Sequence, residues 1–149
     1  MIAVDTTVLV FAHRRDSGWH AAAADRIREL AERDEKWAVP WLCFYEFLAV
    51  VTHPQIYDPP TELPQALAQV SAWLESPSLV LLAEGPGYED RLLSILRESR
   101  VVGARIHDAR IAALCLYHGV EELWSADRDF TRFPKLSVRN PLTDVQEMR

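Results

Sequence analysis

Five acidic residues in this chain of 149 sit where acids are awkward or useful. Glu46 is the only charge between Trp41 and Val51. On a helix, residues three and four away share its face, and these are Leu42, Cys43, Ala49 and Val50. An unpaired carboxylate buried there is costly, or has its pKa raised until it is neutral. It needs a cation, a metal or a proton, unless its tip reaches water at the mouth of the core. Asp108 repeats the pattern, with Ile111, Ala112 and Cys115 on its face. The plainer alternative is a helix N-cap, though position 111 is Ile and a capping box is therefore absent. Asp5 follows the apolar run Ile2-Ala3-Val4, and Asp127 follows the run ending Leu123-Trp124-Ser125. Each alone also reads as a turn residue. Asp129, two residues on, points the same way as Asp127 or out to solvent.

In open α/β sheets, ligands bind beyond the carboxyl ends of the strands, where the connections reverse direction. Two strand-end acids and two acids on apolar helix faces converging there would need compensating positive charge. Hard divalent cations, Mg²⁺ or Mn²⁺, suit such oxygen ligands best. One or two of them can activate water and clamp the oxygens of a phosphodiester, a physical route to its hydrolysis. No His or Cys spacing argues for zinc. His107 reads as a helix-start side chain rather than a general base. Arg14, Arg15, Arg105 and Arg110 flank the acids in sequence and are candidates to hold phosphates, or are simply solvated.

Short apolar strands must present these acids. Strands are expected at Ile2 to Val4, Trp37 to Val39, Leu79 to Leu82, Glu122 to Ser125 and Leu136 to Val138. Helical patterns fill the intervals, over 6–12, 19–33, 41–52, 62–75, 88–100 and about 107–118. Asp16 or Ser17 is the expected cap of the second helix and Thr61 of the fourth. Gly119 is the expected stop of the last. Alternation of this kind argues for a parallel sheet covered on both faces. The segment Trp41 to Val51 is apolar all round, with Trp41, Phe44, Tyr45 and Phe47 on it, so it is buried or meets a partner.

Composition bounds the rest. Apolar residues are 49% and charged residues 26%, an ordinary globular balance. The length suggests one domain over 1–149. A net charge of −6 argues against a broad nucleic-acid-coating surface but allows a local acidic site. Cys43 and Cys115 are far apart in apolar stretches and read as buried free thiols of a reducing compartment. No apolar run is long enough to span a bilayer, and the N-terminus lacks a basic start. A cytoplasmic protein is expected.

Four pieces of sequence, in order, resemble the PIN-domain family, and within it the VapC toxins of bacterial toxin–antitoxin pairs. They are Ile2-Ala3-Val4-Asp5-Thr6-Thr7-Val8-Leu9-Val10, the lone Glu46, His107-Asp108-Ala109-Arg110-Ile111-Ala112-Ala113-Leu114, and Ser125-Ala126-Asp127-Arg128-Asp129-Phe130. The match runs from residue 2 to about 140. It implies a three-layer α/β/α sandwich around a parallel sheet ordered 3-2-1-4-5. It also implies a Mg²⁺- or Mn²⁺-dependent endoribonuclease acting on RNA, a homodimer, and inhibition by a cognate VapB-like antitoxin. By the same resemblance Asp5, Glu46, Asp108 and Asp127 would be catalytic and hold the metal, with Asp129 a further, lesser candidate. Two positions depart from the pattern: Thr7 stands where the family usually has Asn, and Ser125 where Thr is commoner. Two rival readings are a PIN-like module that only binds partners, and a phosphatase with an aspartyl nucleophile. The latter lacks a second Asp at position 7 and a suitably placed Lys, since the only lysines are Lys36 and Lys135.

Overall fold

The structure, a computed structural model, describes residues 1–143; the last part of the expected domain, 144–149, lies outside the described residues. Five strands, β1 (Ile2–Val4), β2 (Trp37–Pro40), β3 (Leu79–Leu82), β4 (Glu122–Trp124) and β5 (Val138–Arg139), form one sheet in the order β3-β2-β1-β4-β5. Every pairing is parallel. α-Helices flank the sheet, among them α1 (Thr6–His13), α2 (His20–Glu32), α3 (Trp41–Val51), α4 (Leu63–Leu74), α5 (Tyr88–Ser99) and α6 (Arg105–Tyr117). A 3-10 turn over Arg128–Arg132 follows β4. This is the α/β/α arrangement and the strand order that the resemblance implies. Among the described residues no helix is long and apolar enough to cross a membrane.

The order places β1 at the centre. The chain moves outward from β1 through β2 to β3, then returns to lay β4 against the other side of β1. Ile2, Ala3 and Val4 pair with Glu122, Leu123 and Trp124. The reversal therefore falls between β1 and β4, and their carboxyl ends carry Asp5 and, shortly after, Asp127. Ala3, Val4, Ala38, Val39, Leu82 and Leu123 are buried, as strands covered on both faces require.

Element ends differ from expectation where a local hydrogen bond outweighs sequence pattern. Helix α6 starts at Arg105 rather than near His107, so Asp108 lies inside its first turn and is not its cap. Its far end is as expected. Gly119 adopts φ +70°, its N–H bonds the Leu116 carbonyl, and the Val120 N–H bonds that of Cys115. Thr61 does not cap α4; Glu62 precedes the helix, and the Thr61 hydroxyl accepts from Arg14 and meets His13 instead. Neither Asp16 nor Ser17 caps α2, which is preceded by Trp19. Asp16 pairs with Arg14, and Ser17 Oγ accepts the Trp19 amide. Strand β5 begins at Val138, because Leu136 is buried as a loop residue rather than as part of the ladder. Cys43 and Cys115 are buried free thiols.

Helix α3 divides its large side chains. Phe44 and Phe47 are buried and pack on Trp73, whereas Trp41 is 39% and Tyr45 70% exposed. The division gives a stability test. Phe47→Ala should cost about 3–5 kcal/mol in urea unfolding, through lost burial and a cavity. Tyr45→Ala on the same helix should stay within about 0.5 kcal/mol.

Candidate metal centre

Asp5 ends β1 and caps α1. Its Oδ1 accepts the Thr7 N–H at 3.0 Å, the Thr7 hydroxyl at 2.6 Å and the Val8 N–H at 3.4 Å. Its Oδ2 accepts the Ser125 hydroxyl at 2.6 Å. Both hydroxyls pass the connection on. Thr7 Oγ1 accepts the Ala126 N–H at 2.9 Å, and Ser125 Oγ accepts the Asp127 N–H at 3.0 Å. Asp127 Oδ1 then accepts the Asp129 N–H at 2.9 Å, which opens the 3-10 turn. One buried carboxylate thus holds, through two hydroxyls, the backbone that carries two more.

Those two meet a third. Asp108, Asp127 and Asp129 are half-buried, and each brings a carboxylate oxygen within 4.8 Å of the other two. Of the expected set Asp5, Glu46, Asp108 and Asp127, the structure brings Asp108 and Asp127 this close. Asp129, ranked lowest from sequence, belongs to the trio, because the 3-10 turn folds it back beside Asp127. Asp5 is not in it: only 2% exposed, its carboxylate lies among its own donors. Glu46 stands apart from the trio too. It is half-buried, and its Oε2 accepts the Thr6 hydroxyl at 2.7 Å.

Charge binds the four into one field. Burial pushes Asp108 up to about 6, and the negative charges of Asp127, Asp129 and Glu46 push in the same direction, while Arg105 opposes them. Asp5 also rises to about 6, again chiefly through burial. Burial raises it, and hydrogen bonds from Ser125, Thr7 and Val8 pull it partly back. Arg105, in the first turn of α6 with Asp108, has Nη1 at 3.5 Å from Asp129 Oδ1. That nitrogen is buried and makes no hydrogen bond.

The trio fits a hard divalent cation: oxygen donors alone, mutually repelling, and partly open to solvent. The arrangement does not fit an aspartyl nucleophile, since both oxygens of the buried Asp5 are engaged by donors.

Of the flanking arginines, Arg105 reaches the acids. Arg14 is nearly buried, pairs with Asp16, donates to the Pro59 carbonyl and Thr61, and lies 4.1 Å from the Tyr57 ring centroid. Arg110 pairs with Glu84. Arg15 and His107 are exposed. Sequence reading passed over the bridging roles of the Thr7 and Ser125 hydroxyls. Their signal was present as Asp5-x-Thr7 and Ser125-x-Asp127, hydroxyls two residues from an acid, where such side chains bond local backbone. Arg105 was already a candidate from its place beside the acids in sequence, and its ion pair is with Asp129.

The family model described as PIN domain matches residues 2–136. The chain is 34% identical over 142 residues to a VapC ribonuclease of Mycobacterium bovis, a match covering 95% of this chain and 96% of that one. It is 32% identical over 143 residues to ribonuclease VapC31 of Mycobacterium tuberculosis, covering 95% and 100%. Among solved structures it is similar to VapBC2 of Rickettsia felis bound to a promoter DNA fragment. That match has a TM-score of 0.68 and 15% identity, over 93% of this chain and 98% of the other. It is also similar to VapC20 of Mycobacterium tuberculosis, described as a toxin cleaving the sarcin–ricin loop. There the TM-score is 0.63 at 16% identity, over 88% and 93%.

The raised acids make stability depend on pH. Asp5 and Asp108 have folded values near 6, above their ordinary 3.8, so folding favours their protonated forms. Their contribution is fully present below about pH 4 and is lost as pH rises through about 6. Without metal, the melting temperature followed by circular dichroism should therefore fall from mildly acidic to neutral pH. Added Mn²⁺ should recover it at neutral pH. A melting temperature indifferent to both would contradict the electrostatic account.

Proposed function

Because the chain belongs to the PIN-domain family, we propose that it is a VapC-type ribonuclease, the toxin of a toxin–antitoxin pair, hydrolysing RNA phosphodiester bonds with Mg²⁺ or Mn²⁺. The observation that carries the chemistry is the trio Asp108, Asp127 and Asp129 beyond the carboxyl ends of β1 and β4. These three side chains would hold the cation, with Glu46 adding negative charge from α3 and Asp5 holding the turn in place. A divalent ion, when bound, supplies activation of water and neutralisation of phosphate charge. The nucleophile is water, so no covalent link between enzyme and RNA forms. Arg105, beside Asp129, offers guanidinium donors to a phosphate oxygen. The binding-module reading would leave this concentration of charge unexplained, and the phosphatase reading requires an open Asp5.

The same reading includes residues 1–149 as one catalytic domain, working in the cytoplasm where its RNA is. It also includes partners. The relatives' solved structures include VapBC complexes from Rickettsia felis and Haemophilus influenzae. In this chain Trp41 and Tyr45 on α3, and Leu63 and Leu67 on the adjoining α4, are exposed. That apolar surface supports a homodimer and a VapB-like antitoxin as occupants.

Two measurements test the proposal. The purified protein should cleave a structured RNA with Mn²⁺ and stop on chelation. Asp108→Asn and Asp129→Asn should each lose more than the ~10²–10⁴-fold typical of one acid–base group, since they remove metal affinity. Asp90→Asn, at an exposed site on α5, should cleave normally. Equal cleavage by Asp108→Asn and the wild type would overturn the trio as the metal-holding group, and no cleavage by the wild type with Mn²⁺ would return the binding-module reading. In light scattering, a stable species of 17.0 kDa at micromolar concentration would reject the homodimer.

A further inference from the structure

We propose that Thr7 is a positioning residue for the acidic trio, setting through its hydroxyl the backbone from which Asp127 and Asp129 project. The role rests on the trio being the metal-holding group.

The argument starts from what one hydroxyl does. Thr7 Oγ1 donates its single proton to Asp5 Oδ1 at 2.6 Å, so the Ala126 N–H at 2.9 Å finds a lone pair free to accept it. The direction of both bonds is thereby set. Ala126 lies 119 positions further along the chain, so this bond spans the gap between the carboxyl ends of β1 and β4. It is also the companion of a second bridge, from Asp5 Oδ2 through Ser125 Oγ to the Asp127 N–H. Two consecutive amides, Ala126 and Asp127, are thus held by two hydroxyls on the two oxygens of one carboxylate. Two anchors on adjacent peptides restrict rotation of the segment in a way that one does not. The next amide contact, Asp129 N–H to Asp127 Oδ1, then orients the second acid of the trio.

Ser125 is a neighbour of the turn and adjusts with it. Thr7 is on the opposite strand's helix, tied to Asp5 by its own N–H as well, and brings an external reference point. Removing its hydroxyl leaves the Ala126 N–H without an acceptor and takes one donor from Asp5. Ligand spacing would suffer even though every carboxylate is still present. Groups that orient metal ligands typically change metal affinity by about 10–100-fold.

The test uses the full chain with Thr7→Val, Thr7→Ser and Ser125→Ala. Amide hydrogen exchange is read by NMR without metal, and Mn²⁺ affinity by calorimetry. Thr7→Val should speed exchange at Ala126 by about tenfold, as expected for loss of one hydrogen bond. It should weaken Mn²⁺ binding by about 10–100-fold. Ser125→Ala should act first on the Asp127 amide, and Thr7→Ser should restore both readouts to wild type. Unchanged Ala126 exchange or unchanged Mn²⁺ affinity in a folded Thr7→Val overturns the proposal. If Thr7→Val does not fold, Thr7→Ser decides, because faster Ala126 exchange there would mean that the methyl and not the hydroxyl holds the turn. Should wild type and Asp108→Asn alike bind no Mn²⁺, the metal reading fails by itself, and the exchange measurement still judges Thr7.

Discussion

A carboxylate that is 2% exposed, Asp5, is the constraint on which the site depends. It sits at the end of the central strand, where the sheet's connections reverse. Both its oxygens are spent on donors from β1's own helix and from the segment after β4. Burial of a charge is tolerable because those donors replace water, and it is useful because they come from distant parts of the chain. The backbone N–H of Asp5 also bonds the Trp124 carbonyl, so main chain and side chain bind the same two strands. The geometry of the more exposed acids is inherited from that junction.

Above the junction the protein gathers charge that does not stabilise it. Asp108, Asp127 and Asp129 repel one another, and Glu46 adds to the field. The fold sustains this through its packing elsewhere: buried Leu9, Phe47, Leu114 and Leu123, among others, form a core that does not rely on the acids. Repulsion at one edge is the property a cation site requires. A trio already neutralised by close ion pairs would have little affinity left for metal. Arg105 neutralises it only in part, at 3.5 Å and without a hydrogen bond from that nitrogen.

Much of this was legible in the residues. Apolar runs marked β1 to β4, and helical periodicity found α1 to α6, because burial on one face leaves a period in the chain. Glu46 and Asp108 stood out because an acid on an apolar face has no bland place to sit. Less legible were features decided by single hydrogen bonds. The unused cap at Thr61, whose hydroxyl is taken by Arg14 and His13, is one that a pattern does not encode. The 3-10 turn at Arg128–Arg132 has no periodic signature, so the nearness of Asp129 to Asp127 and Asp108 was not legible.

The sequence alone determined the sheet, its helices and which acids were out of place, since each follows from local periodicity and from the cost of burying charge. It also placed two acids at strand ends that a parallel topology would bring together. Only the tertiary structure decided which carboxylates meet. Asp5 is held by donors from residues 7, 8 and 125, and Asp129 is brought beside Asp108 and Asp127 by a turn anchored across the sheet. The physical reason is reach. Propensity and patterning act over a few neighbouring residues, whereas the bond from Ala126 to Thr7 spans 119 positions and exists only once β1 and β4 lie side by side.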